Sequence, residues 1–462
     1  LKIIVIYNCL WDTAVRNWLL RFALKIYSQF TLEYILYANM MPHDLARASL
    51  QGLLRRTNIP KSAVDYIVYG TVIQEVKTSN IAREAALGAG FSDKTPSHTV
   101  TMACISSNQA MTTGTSCNNK ITFVYAHDAH KLMLLFFFAA FSLIASGQCD
   151  TVVAGGVEFM SDVPIRHSRK MRKTLLSLNR AKTVGQRLSL IGKIRPDYFA
   201  PELPAVAEFS SNEVMGHSAD RLAAAFGISR VEQDEYALRS HILAKKAETE
   251  GLLKDVIPLK VPGNQTVMKD NGIRPSSMEM MSKLKPAFVK PHGTITAANA
   301  SFLTDGASAV LLMSEEKALS MGYKPIAYLR DFVYVSQDPK DQLLLGPAYA
   351  IPKVLEKAGL SLDDIAAFEL HEAFAAQILS NLKAMDSDWF AQNYMGRKSK
   401  VGVPPLDKLN CWGGSLSLGH PFGATGCRLV TTAAHRLIKN GGQYALVAAC
   451  AAEYQVAETY AF

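Results

Sequence analysis

The chain has 462 residues, enough for two or three domains, and its 49% hydrophobic and 19% charged content excludes a disordered chain. A formal net charge of +9 favours anionic partners: phosphorylated ligands, acidic lipid or nucleic acid. Seven irregularly spaced cysteines with no Cys-x-x-Cys argue against a disulfide framework or a zinc motif and point to free thiols in a reducing compartment.

Leu1 to Asn39 is made of apolar stretches around Trp18-Leu19-Leu20 and Tyr34-Ile35-Leu36, and no targeting peptide is legible in it. From His43 to Leu54 an amphipathic helix is expected, then a turn, Asp65 and a short apolar strand to Gly70. The same unit returns at Ala350 to Glu356, with Asp364 and a strand to Glu369. The apolar runs Thr151 to Gly156 and Tyr444 to Ala449 form a second matched pair. A period of about 300 residues means a duplicated α/β half built from βαβ units rather than a solenoid.

Between the members of these pairs lie the residues that carry chemistry. Cys104 follows the β-branched run Thr99-Val100-Thr101 and precedes a helical pattern. A thiol at such a strand-to-helix turn points out of the sheet edge, where the helix dipole favours its thiolate. Thr115 to Ser142 interrupts that helix, and its apolar run from Leu132 to Ala145 falls short of the ~20 residues that span a bilayer. Asp162 to Lys285 reads as an insertion containing a helix-like stretch from Ala219 to Gly251. It opens on a basic run, Arg166 to Arg195, with ten Lys and Arg, no Asp or Glu, and interleaved Leu175, Leu176, Leu178, Leu188, Leu190 and Ile191. Such a run is either a solvated basic face, an amphipathic segment for anionic lipid, or a phosphate contact. No recognition motif accompanies the charge, so nucleic acid is not expected. The first half resumes at Gly293 to Asn299 and ends near Tyr323.

The second half carries His371-Glu372-Ala373-Phe374 just after its repeated strand. Next comes His420 within Gly413-Gly414-Ser415-Leu416-Ser417-Leu418-Gly419-His420-Pro421-Phe422-Gly423-Ala424-Thr425-Gly426, a glycine-rich loop suited to bringing an imidazole close to substrate. Cys450 ends the last matched strand, and its thiol, with an ordinary pKa of about 8.5, suits both halves of an acid/base role.

In this order the motifs resemble the thiolases, over roughly Met41 to Gly114 and Leu143 to Ala452. His371, where many thiolases have Asn, is similar to the branch that serves mitochondrial trifunctional β-oxidation complexes. The resemblance implies a thiolase-like α/β fold: two duplicated βαβ-type halves in a layered αβαβα arrangement with an inserted loop domain. The corresponding divisions are 1–161 and 286–323 for the first half, 162–285 for the insertion and 324–462 for the second half. The implied activity is cleavage of a 3-ketoacyl-CoA by CoA to acetyl-CoA and a shortened acyl-CoA, with acetyl-CoA condensation and a catalytically impaired scaffold subunit as alternatives. Cys104 would form the acyl-enzyme, His420 would activate it, His371 would hold an oxyanion partner and Cys450 would shuttle protons. The backbone N–H groups of Cys104 and Ala452 would form an oxyanion hole. Met215, His217, Ser301, Phe374 and Gly423 would contact the acyl or CoA portion. Coenzyme A is then a co-substrate, and no metal or redox cofactor is expected. A homodimer core, an α-subunit partner and the matrix face of the inner mitochondrial membrane are implied too, with Arg166, Arg169, Lys170, Arg172 and Lys173 as the anion-facing surface.

Two departures from the family set further expectations. The start of the chain lacks the expected Arg-Thr-Pro strand-turn, so the first strand of the sheet is expected to be absent or replaced. Cys450 is followed by Ala451-Ala452-Glu453-Tyr454 in place of a glycine-rich turn, which crowds that side of the site.

Overall fold

A computed structural model describes residues 3–15, 40–114, 143–204, 207–208, 211–263, 266–451 and 455–461. The first half runs through β1 (Ile3–Val15), α1 (Pro42–Thr57), β2 (Tyr66–Gly70), α2 (Ile81–Gly88), β3 (Ser97–Val100), α3 (Ser106–Gly114) and β4 (Thr151–Glu158). An excursion follows, with α4 (Arg169–Arg180), α5 (Val184–Ile191), α6 (Met215–Ala225) and α7 (Arg230–Thr249), before β5 (Leu303–Ser314) returns to the sheet. The second half holds β6 (Tyr328–Val335), α8 (Gly346–Ala358), β7 (Ile365–Leu370), α9 (Ala375–Met385), α10 (Thr425–Asn440), β8 (Tyr444–Ala449) and β9 (Gln455–Ala461).

The strands lie in the order β7-β8-β9-β6-β1-β5-β4-β2-β3. The halves meet where Ile4 of β1 pairs with Tyr328 of β6. Outward from that seam each half repeats one pattern. An antiparallel neighbour comes first (β5 or β9), then a second (β4 or β8), then a parallel strand (β2 or β7). This is the duplication written in the paired segments around His43 and Ala350.

Three cores separate the layers. α1 and α2 cover one outer face, where Leu50, Leu53 and Ile81 pack on Ile67, Val153 and Leu311. α3 and α10 fill the middle, where Met111, Leu429 and Val430 touch strands of both halves at Val152 and Val447. α8, α9, α6 and α7 cover the other outer face, around Ile351, Ile378, Leu222 and Phe368. The layers therefore read αβαβα. Local chemistry sets the elements: Pro42 opens α1, where its missing N–H costs nothing, Leu45, Ala46, Ser49, Leu50 and Leu53 form its buried stripe, and Asn58 closes it at φ 53°.

Two expectations change. The sheet does have a first strand: β1 takes the seam position, so the expected family segment is replaced rather than absent. The stretch from Ala219 to Gly251 is not one helix. It breaks at Gly227 (φ 59°), a backbone angle that favours glycine, and α7 restarts with Ser229 accepting from the Glu232 N–H in a capping box. The apolar run from Leu132, apart from its last residues, and the turn at Ala452 to Tyr454 lie outside the described residues. Among the described residues no helix is long and apolar enough to cross a membrane.

Candidate active site

Cys104 sits in the turn between β3 and α3. Ser106 Oγ holds that turn, accepting from the Met102 N–H at 2.8 Å and donating to the Ala103 carbonyl at 2.7 Å. Ala103 has φ 44°, a left-handed angle that costs a residue with a Cβ and aims the next side chain. Cys104 is half-buried, whereas Cys450 at the end of β8 is 1% exposed. Burial, and then the nearby Cys104, push the Cys450 thiol well above its ordinary pKa, so it keeps its proton at neutral pH.

His371 leaves β7 with its N–H donated to the Ala448 carbonyl at 2.8 Å, and His420 donates its N–H to Thr304 Oγ1 at 2.9 Å. Their ring centroids are 4.1 Å apart. His420 Nδ1 lies 2.7 Å from Thr425 Oγ1, whose single proton goes to the Pro421 carbonyl at 3.0 Å. Thr425 therefore accepts, His420 carries its proton on Nδ1, and Nε2 presents a lone pair. Among the described residues, the Nε2 atoms of both histidines are buried without a hydrogen-bond partner. Burial, His371 and the Arg428 cation hold His420 well below its ordinary pKa, and burial and Arg428 push His371 down to about 3. Both rings are therefore neutral near neutral pH, which leaves each with one N–H and one lone pair.

The low value has a stability consequence. His371 moves from an ordinary 6.5 to about 3 on folding, so across that window the unfolded chain binds the extra proton and stability falls as pH drops. The stability of the native protein relative to His371→Asn should fall by about 1.4 kcal/mol per unit as the pH drops from about 6 to about 4. Denaturant titrations at several pH values measure it; parallel curves would contradict a buried neutral His371.

Two buried carboxyl groups that spacing does not reveal organise these loops. Glu372 accepts from Tyr236 Oη (3.1 Å), Ser240 Oγ (2.8 Å), Asn410 Nδ2 (2.7 Å) and the Leu416 N–H (3.3 Å), tying α7 to both histidine motifs. A Cβ on Gly414 would lie 2.2 Å from that carboxyl, and one on Gly413, at φ 85°, would lie 2.5 Å from Ala244 Cβ, which explains the glycine pair. Glu158, at the end of β4, accepts from the N–H groups of Val72 (3.1 Å), Ile73 (2.9 Å) and Gly423 (3.0 Å). Burial dominates there and raises its pKa to about 7. Glu372 stands beside His371 in the chain, but its partners Tyr236 and Ser240 come from the excursion.

The expected pocket residues divide. Phe374 meets Phe288 edge-on at 6.1 Å, and Phe288 meets His217 at 6.4 Å. Met215 packs on the same core cluster, and the Ser301 N–H donates to the Ala373 carbonyl at 2.9 Å. Phe374 belongs to the hydrophobic cluster that also holds Cys450, and Phe288 and Met215 pack against it. Gly423 does not join them: it is wedged between the ends of β2 and β4, where a Cβ on Gly156 would lie 1.8 Å from its carbonyl oxygen. The basic run forms a separate face. Arg166 pairs in a two-residue strand with Glu202, while Arg169, Lys170, Arg172 and Lys173 lie on α4. Lys170 contacts Asp197 at 2.6 Å and Arg172 pairs with Glu202. Beside them Val184 is 72% exposed, Phe199 69% and Leu188 63%.

A half-buried thiol at a helix start, a buried protonated thiol and a bare imidazole nitrogen suit acyl transfer between thioesters, and the duplicated αβαβα fold sets them between its halves: the class is acyltransferase. The family described as thiolase, N-terminal domain, matches residues 28–121 and 137–316, and thiolase, C-terminal domain, matches residues 323–459. The chain belongs to the thiolase family. It is 74% identical over 423 residues to trifunctional enzyme subunit beta, mitochondrial, of Mus musculus, covering 92% of this chain and 84% of that protein. It is 56% identical over 425 residues to a probable 3-ketoacyl-CoA thiolase of Caenorhabditis elegans, covering 92% and 89%. The crystal structure of human mitochondrial 3-ketoacyl-CoA thiolase in complex with CoA is similar at TM-score 0.74 and 26% identity, covering 100% of this chain and 98% of that one.

Proposed function

We propose that this chain is a mitochondrial 3-ketoacyl-CoA thiolase whose chemistry is carried by Cys104, His420, His371 and Cys450. The observation behind the assignment is the pair of buried Nε2 atoms, without a hydrogen-bond partner among the described residues, on rings 4.1 Å apart. His420 Nε2 takes the Cys104 proton, and the thiolate attacks the 3-keto carbon. The N–H groups of Cys104 and of Ala452, the latter outside the described residues, receive the oxyanion. The bond between C2 and C3 breaks, leaving the acyl group on sulfur and the electron pair on the thioester enolate. The enolate oxygen is stabilised by His420 and His371, and Cys450 delivers its proton to the carbon, releasing acetyl-CoA. The Cys450 thiolate then takes the proton of incoming CoA, whose sulfur displaces the Cys104 thiolate from the acyl group, and His420 returns its proton to Cys104. Thiols and imidazoles balance every proton and electron pair, so CoA enters as co-substrate and the cycle calls for no metal or redox group. Met215, His217, Ser301 and Phe374 are assigned to the acyl and pantetheine wall.

The test is the mass of the protein after brief exposure to a long-chain 3-ketoacyl-CoA without free CoA. An acyl adduct on the Cys104 peptide is expected. Folded protein without an adduct would overturn the assignment in favour of a scaffold subunit.

The assignment extends to assembly. Residues 162–285 are proposed as the inserted loop domain between the parts of the first half. Among the described residues β3 pairs only with β2 and leaves one edge open, which supports a homodimer formed at that edge. An α subunit of a trifunctional complex is proposed as a further partner, on the strength of the relatives' names. α4 and α5 carry arginines and lysines beside exposed Leu176, Val184, Leu188 and Ile191, the pattern of helices that lie on anionic lipid. Binding to anionic liposomes that weakens with added salt is expected in a flotation assay. Absent or salt-independent binding would count against this face.

A further inference from the structure

We propose that Arg428 and Ser415 form a buried relay that fixes which nitrogen of His371 carries the proton, so that Nε2–H faces the substrate as a donor. This rests on the thiolase assignment of the site and adds two positioning residues to it. Arg428 is 3% exposed, and its Nη2 donates to Ser415 Oγ at 2.6 Å. A guanidinium has only donors, so Ser415 is the acceptor in that bond. Ser415, itself fully buried, lies 2.7 Å from His371 Nδ1. Among the described residues Ser415 Oγ has no other partner, so the one place for its own proton is the Nδ1 lone pair. The alternative, with Nδ1–H donating to Ser415, would bury an unused O–H and turn a second lone pair toward the oxyanion.

The consequence is a matched pair of tautomers. Thr425 passes its proton to the Pro421 carbonyl and makes His420 an Nδ1–H ring with a bare Nε2. Arg428 spends Ser415 as an acceptor and makes His371 an Nε2–H ring with a bare Nδ1. Two rings 4.1 Å apart thus present one acceptor and one donor to the same reacting group. The two hydroxyls, Thr425 and Ser415, set opposite outcomes because one faces a carbonyl and the other a cation.

The experiment is histidine side-chain NMR on the native protein, with the His371 signal assigned by its loss in His371→Asn. The expected spectrum has His371 protonated at Nε2 and bare at Nδ1; an Nδ1–H ring would overturn the relay whatever the kinetics show. In Ser415→Ala, kcat should fall about 10- to 100-fold while KM stays within about twofold, as for loss of a preorganised donor. Ser415→Thr, which keeps the hydroxyl, should restore most of kcat. A Ser415→Ala protein with native kcat would also overturn the relay, and if that variant fails to fold the native spectrum decides alone. Acylation of Cys104 in the native protein is read separately: its failure sinks the thiolase assignment, whereas acylation with the wrong His371 tautomer sinks only the relay.

Discussion

Cys104→Ala is expected to abolish thiolysis, with a fall in kcat of at least about 10⁴-fold, while the fold survives. The substitution removes one half-buried sulfur from a turn whose geometry is held by Ser106 and by the backbone of Met102 and Ala103. Little packing is lost, so the unfolding midpoint should move little. Among the described residues, neither Cys450 nor Cys427 can take over: Cys450 is buried and burial keeps it protonated, and Cys427 is fully buried inside α10. Turnover measured with a long-chain 3-ketoacyl-CoA and CoA checks this, and native turnover in the variant would remove Cys104 from the mechanism.

Gly156→Ala should have the largest effect on stability, a loss of about 3 kcal/mol or more. A Cβ there would lie 1.8 Å from the Gly423 carbonyl oxygen, 2.6 Å from the Gly423 carbonyl carbon and 3.0 Å from Ser107 Cβ. Neither side can yield cheaply. Gly156 pairs with Gly70 on one side and Ser308 on the other, and Gly423 is tied to Glu158 at 3.0 Å. The loop that would have to move carries His420, so residual folded protein should also lose activity. A denaturant midpoint and turnover unchanged from the native protein would show that the loop has slack the packing does not suggest.

Much of this was legible in the sequence, for identifiable reasons. Cys104 is flanked by a β-branched run and a helical pattern, so its turn is written locally, and β3 ends at Val100 and α3 begins at Ser106. The duplication was legible because hydrophobic periodicity survives in α1 to β2 and in α8 to β7. What stayed hidden depends on contacts between distant segments. Glu158 and Glu372 are ordinary acids in the sequence; only folding surrounds them with backbone N–H groups and hydroxyls. The family resemblance implied a substrate contact at Gly423, and nothing in the sequence shows that a Cβ there would lie 2.5 Å from the Val157 carbonyl oxygen of β4. The break at Gly227 was missed because the apolar pattern runs on through both α6 and α7. The replacement of the first strand was half legible: the family segment is missing, yet an apolar run such as Ile3 to Tyr7 can fill the seam position by backbone pairing alone.

The Glu372 hub also bears on when the site can exist. Its bonds reach Tyr236, Ser240, Asn410 and Leu416, sequence separations of 136, 132, 38 and 44 residues. Closing loops of that length is entropically costly and comes late in folding. The imidazole pair is therefore assembled only after the excursion has docked on the second half. A chain that has not yet reached His420 lacks the base proposed for Cys104, so the nucleophile is silent until the second half has been made.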